Sequence, residues 1–182
     1  MAEGSYLVGP QSGRLLVKTA RTGLGAMAGH DLTIEVTRWH GNVLIDAASP
    51  AGSSVTVEAE VGSFEVREGT GGVKPLTDAD RADIKNTLRG KILNTRQHPV
   101  ITFVSTQVSG TPEAFRIDGD LTIVGVTQPV TIEGQLTAGH AHGSAVVMQS
   151  RWGIRPYSAF LGALKLRDEV EVEFDIDLTS EP

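Results

Sequence analysis

The sequence has no cysteine among its 182 residues, which excludes disulfides, thiolate metal ligands and a cysteine nucleophile and leaves the redox compartment open. It also has no run of about eighteen apolar residues, the length a membrane-spanning helix needs. The opening MAEGSYLVGP lacks a basic stretch followed by an apolar one, so a cytoplasmic, non-spanning chain is expected. A field of Lys and Arg is missing too. Residues 168–182 hold seven acidic residues (Asp168, Glu169, Glu171, Glu173, Asp175, Asp177, Glu181) and no basic one, which accounts for the net charge of −6 and leaves the remainder near neutral. Nucleic acid is therefore not an expected partner, because binding it requires cations that displace counterions from phosphates.

The usual catalytic signatures are absent as well. No GxSxG elbow, P-loop or HExxH occurs. Gly23-Leu-Gly25-Ala-Met-Ala28 matches the loose dinucleotide pattern, but Asp31-Leu-Thr-Ile-Glu-Val follows it as a strand. That pattern binds pyrophosphate only when a helix N-terminus follows, so it is read as a glycine-rich connection. Asp78, Asp80 and Asp83 lack the turn glycine of a calcium loop and suit the first turns of a helix. His140-Ala-His142 has a spacing that metal-binding strands use, yet it sits between Gly139 and Gly143 and reads as an exposed turn. No metal site is expected.

What is present is strand rhythm. Glu169-Val-Glu-Val-Glu-Phe-Asp-Ile-Asp-Leu178 alternates acidic and apolar residues without a break, which predicts a strand with one buried and one wet face. Alternation or β-branched enrichment recurs at 14–20, 32–38, 43–47, 54–61, 101–108, 114–124, 129–137 and 144–150, with turn-forming residues between. Trp39-His40-Gly41-Asn42 and Gly125-Val-Thr-Gln-Pro129 read as short links between antiparallel neighbours. An all-β sandwich or barrel in one domain over 1–182 follows. One helix interrupts it, from roughly 78 to 89. Thr77 is its N-cap, acidic residues occupy its first turn, and Ile84, Leu88 and Ile92 recur every four residues. Its basic side, Arg81, Lys85 and Arg89, admits two readings: a cap on one barrel end, or a dock for anionic headgroups. The glycine-bearing segment 62–76 precedes it. Residues 153–167 are unusually apolar for a loop, so Tyr157, Phe160, Leu161 and Leu164 are expected to cover either the core or a ligand.

Four segments together resemble the YceI-like family of lipid-binding proteins. They are His30-Asp-Leu-Thr-Ile-Glu-Val36; His98-Pro-Val-Ile-Thr-Phe-Val-Ser105; Gly119-Asp-Leu-Thr-Ile-Val-Gly-Val-Thr127 with Pro129-Val130; and Arg151-Trp-Gly-Ile154 leading to the acidic strand. The resemblance implies an extended, antiparallel, lipocalin-like β-barrel of eight strands with one short helix, enclosing an apolar tunnel for a polyisoprenoid, an isoprenoid quinone or a fatty-acid-like amphiphile. An eight-stranded barrel is wide enough for one small ligand. Parity then nominates the tunnel wall: Leu32, Ile34 and Val36; Ile101 and Phe103; Ile117, Leu121 and Ile123; Val130 and Ile132. Trp152, Tyr157, Phe160 and Leu161 are the lid candidates, and His30 with Arg151 the polar contact at the mouth. The expected role is carriage or storage without a cofactor other than the bound lipid. The alternatives are an enzyme using His30 as acid or base on such a ligand, and a ligand-free structural or stress-related barrel. Passing contact with a membrane surface and a homodimer are further expectations.

Overall fold

The computed structural model describes residues 4–178. Its strands are β1 (Gly4–Val8), β2 (Gly13–Thr19), β3 (Arg21–Thr22), β4 (Asp31–Val36), β5 (Trp39–Ile45), β6 (Ser54–Glu60), β7 (Phe64–Thr70), β8 (Val100–Thr111), β9 (Ala114–Ile123), β10 (Val126–Thr137), β11 (His140–Met148), β12 (Ser158–Ala159), β13 (Leu164–Leu166) and β14 (Glu169–Asp177), with one α-helix, α1 (Asp78–Thr87). Glu181 of the acidic cluster lies outside the described residues.

Eleven of these strands form one antiparallel sheet in the order β1-β5-β6-β8-β9-β10-β11-β14-β2-β4-β7. Three pairs of segments are halves of single strands broken by corners. Val8 leads through Gly9–Ser12 into β2, Val36 through Thr37 and Arg38 into β5, and Glu60 through Val61–Ser63 into β7. Counted this way there are eight continuous strands, whereas as hydrogen-bonded segments the sheet has eleven against the eight expected, because corners split three of them. Hydrogen bonding passes from β14 to β2 and from β2 to β4; the chain turns the corner into β5, whose ladder continues to β6, β8 and onward back to β14. The sheet is thereby curled into a barrel.

Ser63, 1% exposed, fixes the corner between β4 and β5. Its hydroxyl accepts from Arg38 N at 3.0 Å and lies 2.7 Å from Glu60 O, while Thr37 Oγ1 donates to Ser63 O at 2.8 Å. This corner corrects the reading of Trp39–Asn42 as a link. The turn falls two residues earlier, and Trp39 begins β5. The other nominated link narrows in the same way to Val124 and Gly125, both at positive φ (47° and 76°), the backbone of a two-residue hairpin whose twist matches that of its strands. Pro129 sits inside β10. His140 and His142 open β11 instead of forming a turn, and β7 occupies much of the glycine-bearing segment 62–76.

The helix starts where its cap predicts. Thr77 Oγ1 accepts from Asp80 N at 3.1 Å, and the Asp80 carboxylate accepts from Thr77 N at 2.8 Å, satisfying two amides that a helix start leaves unpaired. Beyond Thr87 the backbone widens into one π turn, Leu88–Ile92. Ile84, Leu88 and Ile92 pack against the core. Arg81 donates to Val66 O and Arg67 O, at 2.8 and 2.6 Å, covering the outer edge of β7, and Lys85 pairs with Glu65. Two of the basic side chains thus bind the helix to the barrel. No helix among the described residues is long and apolar enough to cross a membrane.

Candidate functional site: an apolar cavity along the barrel

Side chains alternate across a strand, so each barrel strand sends every second residue inward. Were those residues all large, the interior would be filled. Here many are small. Gly119, Gly134, Ala141, Gly143 and Ala145 share the inward parity of their strands, and aromatic rings fold down over three of the glycines. A Cβ on Gly134 would lie 2.6 Å from Phe115 Cζ, one on Gly143 would lie 2.8 Å from Phe174 Cζ, and one on Gly119 would strike the Phe103 ring. The rings lie against the sheet where a side chain would otherwise stand. The space this leaves is a cavity of about 1260 Å³, larger than the roughly 300–1,000 Å³ typical of pockets for drug-sized ligands.

One end of the cavity is shut. Leu88, Ile92 and Leu93 of the helical segment, Gln149, Ile154 and Phe64 line it there. Behind them Trp152, 1% exposed, donates from Nε1 to Leu121 O at 2.9 Å. The other end reaches the surface between residues 46–53, the β8–β9 hairpin and the β10–β11 hairpin, where exposed Ala47, Pro50, Pro112, Glu113 and Ala138 join the lining. Backbone ties hold this rim: Leu136 N donates to Pro112 O at 2.7 Å and Leu178 N to Gly139 O at 2.8 Å. Asp46 is anchored as well, its Oδ1 accepting from Ala48 N at 2.9 Å and Ser49 N at 3.0 Å. Polar side chains gather at the rim (Asp46, Ser53, Ser109, Thr111, Glu113, Thr137), with Thr19 and Gln149 at the shut end. Between them the wall is almost wholly Val, Ile, Leu, Phe and Ala. Trp39 Nε1, buried in that wall, has no acceptor.

Of the residues nominated from sequence, Ile34, Val36, Ile101, Phe103, Ile117, Leu121, Ile123, Val130 and Ile132 line the cavity. Leu32 is buried outside it, and Trp152 packs behind the shut end. His30 and Arg151 are not brought to the rim. His30 precedes β4 at the end away from the rim, its Nε2 2.7 Å from Lys74 O, and the exposed Arg151 guanidinium stands 5.7 Å from the Trp152 ring centroid. Tyr157, Phe160 and Leu161 do not cover the cavity; Phe160 and Leu161 are 67% and 110% exposed. The small sheet β12-β13-β3 holds that segment beside the loop at Gly25, whose N–H donates to Ala163 O at 2.9 Å. Reasoning from parity stopped at four strands and so missed Leu15 and Val17, Val43 and Val55, and Val170, Val172 and Phe174. The same alternation in β2, β5, β6 and β14 carries the signal for them. No group of three His, Asp or Glu side chains among the described residues is arranged to hold a metal ion. His140 and His142 have ring centroids 6.2 Å apart, and His140 Nε2 lies 3.2 Å from Asp175 Oδ1 on the outer face.

Comparison with known proteins agrees with this geometry. Residues 15–178 match the model of the YceI-like domain. UPF0312 proteins of Yersinia enterocolitica and Yersinia pestis are 34% identical to the chain over 98 residues, 53% of this chain and 44% of the relative in each case. The matched stretch thus spans less than half the length of these relatives. Among solved structures, BcnA of Burkholderia cenocepacia superposes with a TM-score of 0.64 at 18% identity, over 89% of this chain and 94% of that one. A YCEI protein of Campylobacter jejuni gives 0.62 at 13% identity, over 82% and 85%. At these identities the likeness concerns the fold.

Proposed function

This chain belongs to the YceI-like family, and from that premise we propose that it binds one elongated apolar molecule inside its barrel, as a carrier or store for a polyisoprenoid, an isoprenoid quinone or a similar amphiphile. The observation that carries the reading is the cavity of about 1260 Å³ walled by aliphatic and aromatic side chains. A prenyl or alkyl chain gains about 0.8 kcal/mol for each CH₂ removed from water, so such a wall needs length and shape more than polar recognition. His30 stands outside that wall, and for that reason the enzymatic alternative built on it is not the one proposed. A place in the cytoplasm belongs to the same proposal, and fractionation of the source cells checks it.

Native mass spectrometry of protein purified from its own cells tests binding, alongside uptake of an environment-sensitive apolar dye. The reading expects an added lipid mass or dye uptake that prenyl alcohols displace. It also expects that Ala145→Trp, which projects a ring into the cavity, reduces both. Bare protein that ignores the dye in repeated preparations would overturn it in favour of the ligand-free barrel.

A further inference from the structure

From the charges around the cavity we infer that the bound molecule has an uncharged head, and that the rim rejects anionic amphiphiles such as fatty acids and prenyl phosphates. The inference rests on the proposed ligand-binding role and narrows it. The wall and rim include two carboxylates, Asp46 and Glu113, and no Lys, Arg or His among the described residues. The basic residues of the adjoining strands face outward. Arg14 and Lys18 alternate with the wall residues Leu15 and Val17 and pair on the outer face with Glu35 and Glu173, at 3.6 and 2.7 Å.

Two electrostatic effects then act in the same direction. An anionic head drawn into the barrel would lose its hydration with no cation to replace it, a cost of several kcal/mol for an unpaired charge. An anionic head left at the rim would meet the carboxylates. Asp46 cannot simply swing away, because the amides of Ala48 and Ser49 hold it, while Glu113 rides on the tip of a hairpin tied to β10 through Pro112 O. An uncharged hydroxyl or carbonyl head avoids both penalties and finds Ser53, Ser109, Thr111 and Thr137 around it.

The test uses three probes of one tail, farnesol, farnesylamine and farnesoic acid, titrated at pH 8 and low salt by displacement of the apolar dye. The expected result is that farnesol binds at least about tenfold more tightly than farnesoic acid, as two nearby like charges at intermediate dielectric imply. The amine should bind no worse than the alcohol. Asp46→Asn with Glu113→Gln should narrow the gap between alcohol and acid, and so should high salt. Glu113→Gln alone, at an exposed hairpin tip, provides the same reading should Asp46→Asn loosen its loop. Farnesoic acid binding as tightly as farnesol would overturn the inference while leaving the cavity as a binding site. A gap unchanged in the variants would overturn the assignment to these carboxylates. Failure of all three probes to displace the dye would overturn both the inference and the role it rests on.

Discussion

Glycine in the middle of a strand is ordinarily a weakness, about 0.5–1 kcal/mol worse than alanine, and at Gly134 that cost alone would favour replacement. Contact geometry decides otherwise. A methyl group there would sit 2.6 Å from Phe115 Cζ and 2.6 Å from the backbone oxygen of His142, and a ladder carbonyl cannot retreat. Overpacking of this kind costs about 1–3 kcal/mol, which exceeds the entropic gain. Gly134→Ala is therefore expected to lower stability in urea unfolding and to reduce dye uptake as the Phe115 ring is pushed into the cavity. The opposite sign is expected at Leu161, whose φ of 57° places a branched side chain in left-handed backbone while leaving it exposed to solvent. Asn tolerates that conformation, so Leu161→Asn should raise stability by about 1 kcal/mol. A rise in the urea midpoint without a change in slope would show it. Residue-scale parity in the sequence named nine of the positions that line the cavity. It could not tell that Phe160 and Leu161 face water, since an apolar loop reads the same whether it covers a cavity or projects from one end of the protein.

Among the elements, the helix was legible because its signals are local: a Thr cap, an acidic first turn and an apolar residue every fourth position. Its cap also carries a pH dependence. The backbone and side chain of Thr77 hold the Asp80 carboxyl below the usual aspartate range. A lowered folded-state value means that the cap's contribution is complete above the unfolded value, near pH 4, and is lost as pH falls through the folded one. Helix content followed by NMR should accordingly step down in acid below about pH 4, and Asp80→Asn should remove that step. Corners were not legible, because what makes them is distant in sequence. The bend before Trp39 depends on Ser63, some twenty-five positions along, and nothing near Thr37 announces it. Ser63→Ala strips a buried corner of its donor and acceptor and is expected to cost about 1–3 kcal/mol, read by thermal unfolding, with the β8–β9 and β10–β11 hairpins unaffected in hydrogen exchange.

For the whole molecule, antiparallel order and an apolar interior followed from the alternation, and a tunnel was what the resemblance implied, whereas the alternation itself could not show hollowness. Hollowness depends on which inward positions of adjacent strands are small at the same height, and register between strands is set by the three-dimensional pairing. A ligand that binds only the folded barrel must stabilise it, by about 2.7 kcal/mol at a hundredfold excess over Kd. In a chain of this length that corresponds to a rise of about 5–10 °C in Tm. Farnesol is expected to produce such a rise in the native protein and a much smaller one in Ala145→Trp; equal rises in the two would place its binding outside the barrel.

The closed circuit of ladders has a kinetic consequence. Every strand of the wall except β1 and β7, which end the sheet, is paired on both sides, so the wall resists parting like a seam and a long guest travels lengthwise through the rim between Asp46 and Glu113. Residence time should then lengthen with each added isoprene unit, even among guests whose heads are identical.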